Sequence, residues 1–144
     1  MKVLEKYMEL EPHESILNVL EGNAYNTSPN IFARLFGFLE RIFSIILGCP
    51  RKAHVVVTNR RTIVIEIRKM LWFFDGSVRA AAFTPRSITS IGYVLARSWL
   101  IFKSHYLEFH SSASSFIVKS KGGKKPVDDT IKSIMSLAEK VTAK

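Results

Sequence analysis

The sequence predicts a single α+β domain in which a series of antiparallel strands is followed by a C-terminal helix. Three observations support this prediction. The chain has 144 residues, a length typical of one domain. Strand-like segments recur at intervals of about ten residues, which is typical of a barrel or a sandwich and not of βαβ units. Apolar residues near the C-terminus recur at helical spacing.

The N-terminal part of the chain predicts one strand and one helix. Ile16–Leu20 is strand-like, and segment 23–30, which is rich in Asn, Ser and Pro, is expected to form a loop. The Ser-Pro pair at 28–29 suits an N-cap followed by proline at the first helical position. We therefore expect a very apolar helix over 29–47 that ends at Gly48.

The middle of the chain predicts the sheet. Its clearest strand is Thr62–Arg68, which alternates so that three isoleucines share one face. We expect a turn at 58–61 before this strand, and a continuation through 69–74 to a turn at Asp75-Gly76. The other predicted strands are His54–Val57, Val78–Thr84, Ser87–Val94, Trp99–Lys103, His105–His110 and Phe116–Lys119, with a hairpin loop at Ser111–Ser115.

The C-terminal segment predicts an amphipathic helix over 127–142. A loop at 121–126 precedes it, and Asp128 and Asp129 are expected in its first turn, where carboxylates complement the helix dipole. The predicted apolar face consists of Ile131, Ile134, Met135, Ala138 and Val141.

The positive charge is concentrated in the predicted sheet. The whole chain has a formal net charge of +9. Residues 51–125 hold fourteen Lys or Arg against three acidic residues, whereas residues 1–50 hold four against six. This asymmetry indicates an anionic partner, either a membrane surface or a nucleic acid.

Neither a signal peptide nor a membrane span is expected. Segment 31–47 is apolar, but it has only 17 residues and contains Arg34, Glu40 and Arg41, whereas a span needs about 20 apolar residues. A single cysteine, Cys49, excludes an internal disulfide framework and a zinc site with several cysteines. We expect a cytoplasmic protein that can lie peripherally at a membrane.

Three short segments resemble the bacterial pleckstrin-homology-like domain family. Segment 10–17, LEPHESIL, is similar to the family's opening Leu-x-Pro-Gly-Glu-x-Ile-Leu, with His13 in place of the usual glycine. Segment 55–63, VVVTNRRTI, is similar to its apolar strand followed by Thr-Asn-x-Arg and another strand. Segment 83–91, FTPRSITSI, is similar to its strand followed by Ser-Ile-x-Ser-Ile. The resemblance covers about residues 10–142 and departs from the family at the inserted helix.

The resemblance implies a strongly bent antiparallel sheet of roughly seven strands, closed at one open end by the C-terminal helix. It also implies a non-catalytic binding module, since members of the family are similar in this respect and several form oligomers. A fold does not specify a ligand, so the contact residues must be argued separately.

The sequence gives no indication of catalysis, a metal or a cofactor. His105 and His110 are five residues apart on a predicted strand, so they point to opposite faces and cannot share a metal ion. Cys49 follows a predicted helix C-terminus, where the dipole does not favour a thiolate.

The predicted helix at 29–47 is the main candidate for contacts. It can pack against another subunit or a protein partner, lie in a membrane interface, or pack against its own sheet. The apolar cluster at 71–74 can support binding, but we expect it to belong to the core. The candidate partner or membrane contacts on the helix are Phe32, Leu35, Phe36, Leu39, Ile42, Phe43 and Ile46.

Basic residues in loops are candidates for an anion or a lipid headgroup. The alternative for the lysine-rich loop at 119–125 is a solvated basic loop, because it lacks the spacing of a phosphate-binding loop. The candidates are Arg51, Lys52, Arg60, Arg61, Lys119, Lys121, Lys124 and Lys125.

These observations predict a non-enzymatic binding or assembly module. We expect a homo-oligomer or a protein partner, and contact of the basic loops with an anionic membrane or partner. Single-stranded nucleic acid is the alternative, since such proteins stack bases on aromatic residues along a basic groove. The aromatic residues concerned are Trp72, Phe73, Tyr93, Trp99 and Tyr106.

Overall fold

The computed structural model describes residues 6–25, 43, 46–71, 73–98, 102–112 and 114–142. The described part contains seven strands and a C-terminal helix. In chain order they are β1 (Ile16–Tyr25), β2 (Arg51–Thr58), β3 (Thr62–Met70), β4 (Phe74–Phe83), β5 (Ile88–Ser98), β6 (Phe102–Ser111), β7 (Ser115–Ser120) and α1 (Lys124–Thr142). A short 3-10 turn at Pro85–Ser87 precedes β5.

All seven strands form one antiparallel sheet in the order β4-β3-β2-β1-β7-β6-β5. The sheet is open, because β4 and β5 are its two edges. It is nevertheless strongly bent: the ring of Phe83 on β4 lies 5.1 Å from that of Phe109 on β6 and 5.5 Å from that of Phe116 on β7. The predicted α+β class and the bent seven-stranded sheet with a terminal helix are confirmed.

The concave face of the sheet and α1 enclose the main core. Buried residues from six strands meet there, and Val127 of the helix packs among them. Further along the helix, Ile134 and Leu137 pack against Val57 near the end of β2. The helix therefore covers the part of the concave face near the β2–β3 turn.

A second apolar cluster lies on the convex face. Ile63, Ile65 and Ile67, the three isoleucines predicted to share a face, pack with Val56. Residues Tyr7, Met8 and Ile16 pack against this cluster. The predicted alternation of β3 is thus confirmed, but both faces of its first half are buried, because the N-terminal segment crosses the sheet on the side opposite α1.

The turn between β3 and β4 is not where the sequence predicted it. The Asp75-Gly76 pair lies within β4, and the turn is at 71–73 instead. The hairpin register places Lys69 opposite Asp75 and Met70 opposite Phe74. The Asp75 carboxylate accepts hydrogen bonds from Lys69 and Tyr7 and from Lys6 Nζ at 2.9 Å, which fixes Asp75 in the sheet.

Other predicted boundaries were also wrong. β1 runs to Tyr25, because it pairs with both β2 and β7 beyond Leu20. The expected separate strands at 99–103 and 105–110 are replaced, in the described residues, by β6, which pairs with β5 continuously from Phe102 to His110. The hairpin loop at 111–115 and the turn at 58–61 are as predicted, whereas β2, β4 and β5 are longer than predicted.

The C-terminal helix begins earlier than predicted. It starts at Lys124, so Asp128 and Asp129 lie beyond its first turn. Met135 was expected in the apolar face but is exposed, whereas Leu137 is buried. The buried positions are spaced by three or four residues from Val127, which places position 137 on the stripe and position 135 beside it.

Most of the predicted helix at 29–47 lies outside the described residues. At its end the Leu47 amide donates to the Phe43 carbonyl at 2.8 Å, and Gly48 has a φ of 70°, as expected for a glycine that ends a helix. In the part of the chain that the structure describes, no helix is long and apolar enough to cross a bilayer.

Candidate functional site

The hairpin between β3 and β4 ends in an exposed apolar surface, which we call the apolar tip. Its side chains are 52% (Met70), 65% (Leu71), 83% (Phe73) and 68% (Phe74) exposed. We expected this cluster in the core, and that expectation was wrong. The last pair of the hairpin, Met70 and Phe74, projects the tip beyond the enclosed part of the sheet.

The backbone of the tip is strained. Leu71 has a φ of 48°, a left-handed conformation that glycine adopts freely and that costs other residues about 1–2 kcal/mol. An exposed leucine therefore occupies a position where glycine or asparagine is more stable. Strain of this kind is concentrated at functional sites.

The chain entering β2 lies next to the apolar tip. The Lys69 amide donates to the Pro50 carbonyl at 3.0 Å, which brings Pro50 beside the end of β3. Phe43, Ile46 and Leu47 are exposed. Two of the seven predicted contact residues are thus described, and both have exposed side chains. The others, Phe32, Leu35, Phe36, Leu39 and Ile42, lie outside the described residues.

Two arginines face each other close to the tip on the concave side. Arg51 on β2 is directly opposite Arg68 on β3, and like charges in such a pair are destabilising. Two residues before Arg68 along β3, and on the same face, Glu66 is opposite Arg79 on β4. Burial raises the pKa of the Glu66 carboxyl, while Arg79 and Arg51 oppose this effect. This end of the sheet therefore has a net positive charge.

Lysines on the convex side occupy a row across three strands. Asn23 on β1 is directly opposite Lys52 on β2 and Lys119 on β7, and residues directly opposite each other project from the same face. The Lys121 amide donates to the Glu21 carbonyl at 3.3 Å, beside this row. The structure therefore brings three of the predicted anion-binding lysines together.

Arg60 and Arg61 lie at the other end of β2. This strand has eight residues, so the turn is about 23 Å from Arg51. Arg60 Nη1 is 3.1 Å from Glu11 Oε2, and Arg61 forms two hydrogen bonds of 2.9 Å with the Glu14 carboxylate. These two arginines are separated from the other candidates and are bound to carboxylates of the same chain.

Lys124 and Lys125 begin α1. Lys124 Nζ is 3.8 Å from Asp128 Oδ2 and 5.7 Å from the centre of the Tyr93 ring. Lys125 is exposed. Both lysines belong to the helix and not to the strands that carry the convex lysine row. The eight predicted anion contacts therefore form separate groups.

The four histidines lie among the described residues and were considered as possible metal ligands. No group of three or more potential metal ligands occurs among the residues that the structure describes. His105 Nδ1 is 2.7 Å from the Tyr93 hydroxyl, whereas His110 Nε2 is 3.1 Å from Glu108 Oε1. The two histidines lie on β6 at positions of opposite parity, so the predicted separation onto opposite faces is confirmed.

Among the described residues, the aromatic side chains that were predicted to stack nucleic-acid bases lie in different parts of the structure. Tyr93 packs against the main core and stacks on His105. Phe73 is in the apolar tip, and Tyr106 is half-buried on β6. Trp72 and Trp99 lie outside the described residues.

Comparison with protein-family models gives no match, and comparison with curated proteins gives none either. Among solved structures, the chain is similar to the crystal structure of a DUF1696 family protein with a pleckstrin-homology domain from Shewanella loihica PV-4. The sequences are 19% identical, the match covers 81% of this chain and 98% of that chain, and the TM-score is 0.46.

Proposed function

We propose that this protein is a non-enzymatic binding module that attaches peripherally to an anionic membrane surface. The apolar tip is the observation that carries the proposal. Four neighbouring apolar residues are more than half exposed there, although contiguous apolar patches are rare on monomeric soluble proteins and mark sites of contact with membranes or proteins.

The shape of the tip favours a bilayer over a flat protein partner. It is the end of one hairpin, with Leu71 and Phe73 at its turn, so it can enter between headgroups without moving the sheet. Each side chain transferred from water contributes roughly 1–2 kcal/mol when most of it is buried. Phe43, Ile46 and Leu47, which precede Pro50 in the chain, are further exposed apolar side chains.

The charges near the tip complement an anionic surface. Arg68 lies two residues before the tip along β3, and Arg51 is opposite Arg68. Each Lys or Arg close to an anionic membrane contributes about 1 kcal/mol. The headgroup layer is roughly 5–7 Å thick on each side of the bilayer, and one residue of a strand spans about 3.3 Å. When the tip reaches the hydrocarbon boundary, these cations are therefore level with the phosphates.

The test measures sedimentation with vesicles of phosphatidylcholine, with and without phosphatidylglycerol. The wild-type protein should bind the anionic vesicles and lose affinity as the salt concentration rises. The double variant Phe73→Ser, Phe74→Ser should bind at least tenfold more weakly, because both side chains lose their apolar contact. Leu17→Ser with Met135→Ser removes two exposed apolar side chains elsewhere and should bind like wild type.

Two results would contradict membrane attachment. One is a tip variant that binds vesicles as well as wild type. The other is a wild-type oligomer in lipid-free solution that becomes monomeric in the tip variant, as measured by light scattering. That result would assign the tip to assembly with a second copy, which is the other partner that the sequence suggests.

A further inference from the structure

We propose that the convex face of the sheet carries a binding site for the phosphomonoester group of a lipid headgroup, formed by Lys52, Asn23 and Lys119. Lys121 lies beside this site and adds to its charge. The inference rests on the proposed membrane attachment and specifies the chemical class of headgroup. It concerns a different face from the Arg51 and Arg68 pair.

The strand register places the three residues side by side. Asn23 is directly opposite both Lys52 and Lys119. Adjacent strands are about 4.8 Å apart, so the two lysines lie about 10 Å apart at the backbone with the asparagine between them. A phosphate above Asn23 is within reach of both ammonium groups, and the side-chain amide of Asn23 supplies a further donor.

Within the described part of the chain, the lysines of this group are not paired with carboxylates. Among the described residues, no ion pair or side-chain hydrogen bond engages Lys52, Lys119 or Lys121. By contrast, Arg61 and Lys69 are bound to carboxylates. Three lysines without an ion pair in the described part of the chain are therefore grouped together here.

The positive charge of two of these lysines lowers the pKa of a neighbouring side chain. Burial lowers the pKa of His54, the proximity of Glu21 opposes this effect, and Lys121 and Lys52 lower the pKa further. His54 Nδ1 is 3.7 Å from Glu21 Oε1. Glu21 offsets one of the three lysine charges, so the region keeps a net positive charge with His54 neutral.

The backbone holds the row in a fixed geometry. A Cβ atom on Gly22 would lie 2.1 Å from the Lys119 carbonyl oxygen and 2.7 Å from Val118 Cγ1. Only glycine permits this close approach of β1 and β7, which sets the position of Lys119 relative to Asn23. The strand pairing on both sides of Asn23 then fixes the spacing of the lysines.

The site is at the right height for a headgroup. Lys52 is opposite Ile67, which is three residues before Met70 at the tip. This separation is about 10 Å along the strand. With the tip at the hydrocarbon boundary, the backbone of the lysine row lies about 3–5 Å outside a headgroup layer of roughly 5–7 Å. A lysine side chain can span this distance to a phosphomonoester, which carries a charge of about −1.5 to −2 at pH 7.

The test compares vesicles that contain phosphatidate, a phosphomonoester, with vesicles that contain phosphatidylglycerol, a phosphodiester, at matched total charge. The wild-type protein should prefer phosphatidate about fivefold, the effect of one additional charge interaction at the lysines. The double variant Lys52→Gln, Lys119→Gln should lose this preference. The control double variant Lys132→Gln, Lys140→Gln removes the same charge from exposed positions of α1 and should keep it.

A second measurement separates this inference from membrane attachment. Soluble glycerol phosphate is titrated into the wild-type protein and the amide shifts of Asn23, Lys52 and Lys119 are followed by NMR. If the wild type binds both kinds of vesicle equally, or if both double variants lose the preference alike, the headgroup site is refuted while attachment through the tip stands. If vesicles are not bound but glycerol phosphate shifts these amides, the membrane function and the lipid source fail, and the site takes a free phosphomonoester. If neither binds, both proposals fail.

Discussion

Arg61 and Glu14 form a bidentate ion pair that joins two distant parts of the sequence. Arg61 Nε donates to Glu14 Oε1 at 2.9 Å and Arg61 Nη2 donates to Glu14 Oε2 at 2.9 Å. Thr58 Oγ1 donates to the same carboxylate at 2.7 Å, and the Glu11 amide donates to it at 2.8 Å. The Glu14 side chain is fully buried and each of its oxygens is hydrogen-bonded.

This pair explains why two of the recognised motifs occur together. The opening segment supplies Glu14, and the segment around the β2–β3 turn supplies Thr58, Asn59 and Arg61. Asn59 adds three hydrogen bonds, since its amide nitrogen donates to the Ser15 carbonyl, its side-chain oxygen accepts from the Ser15 amide and its side-chain nitrogen donates to the His13 carbonyl. The motif residues therefore stabilise the turn, and Arg61 is a structural residue.

We expect Glu14→Gln to destabilise the protein by about 3 kcal/mol. The substitution leaves the largely buried Arg61 without a counter-ion, and breaking a buried pair from one side costs about 3–5 kcal/mol. Urea unfolding followed by circular dichroism measures the change. Glu139→Gln, at an exposed position of α1, should change the free energy of unfolding by less than about 0.5 kcal/mol; an equal effect of the two substitutions would contradict this role of Glu14.

The same pair predicts a loss of stability in acid. Burial opposes ionisation of Glu14, but hydrogen bonds from Arg61, from the Glu11 amide and from Thr58 outweigh it and lower the pKa of this carboxyl to about 2. A carboxyl whose pKa is lowered on folding stabilises the protein fully above its unfolded pKa, and this contribution is lost as the pH falls toward the folded pKa. The difference in unfolding free energy between wild type and Glu14→Gln should thus shrink between about pH 4.5 and pH 2. A difference that is constant over this range would exclude Glu14 as the titrating group.

His13→Gly should stabilise the protein by a few tenths to about 1 kcal/mol. His13 has a φ of 66° and follows Pro12 in a turn closed by a hydrogen bond of 2.9 Å from the Glu14 amide to the Glu11 carbonyl. Proline at the second position and a positive φ at the third are typical of a type II turn, in which glycine is preferred. His13→Ala keeps the left-handed strain and should not stabilise the protein, so thermal unfolding of the two variants separates backbone strain from side-chain effects.

Leu71→Gly should raise stability and weaken vesicle binding at the same time. Glycine removes left-handed strain of about 1 kcal/mol, whereas loss of the leucine removes apolar contact with the bilayer. Leu71→Ala should weaken binding without the gain in stability. Urea unfolding and vesicle sedimentation of both variants test this, and a Leu71→Gly protein that binds normally would show that the tip does not enter the membrane.

Thr62→Val should stabilise the protein by about 1 kcal/mol. Thr62 is fully buried and its Oγ1 has no hydrogen-bond partner among the described residues, and a buried unpaired hydroxyl costs about 1–3 kcal/mol. Thr58 is the matched control, because it is equally buried but its Oγ1 bonds to Glu14 and accepts from the Arg61 amide at 3.0 Å. Thr58→Val should therefore destabilise, and chemical unfolding that gives the same sign for both substitutions would contradict this account.

The sequence predicted local structure best where the chain carries short-range signals. The turn at 58–61, the alternation of Thr62–Arg68 and the glycine at the end of the predicted helix were all correct. Predictions failed where long-range pairing decides the structure. Asp75-Gly76 is a favourable turn dipeptide, yet its carboxylate is bound by Lys6, Tyr7 and Lys69, and this pins Asp75 within β4.

The candidate site also combines features that the sequence predicts with features that depend on long-range pairing. Composition predicted a basic region, because the positive charge is visible in the sequence, whereas the cluster at 71–74 was expected in the core and its described residues are exposed. Which cations act together was not predictable. Arg60 and Lys52 are eight residues apart, but they lie at opposite ends of β2, whereas Lys52 and Lys119 are far apart in sequence and share one row of the sheet.

By itself the sequence determined the class of the fold, the terminal helix and the excess of positive charge on the sheet, because periodicity, turn residues and composition are local properties of the chain. Only the tertiary structure decided that Arg61 is bound to Glu14, that Leu71 and Phe73 are exposed, and that Lys52 and Lys119 face the same side. These relationships depend on the register between strands and on the bend of the sheet. Both are set by contacts between residues that are distant in the sequence.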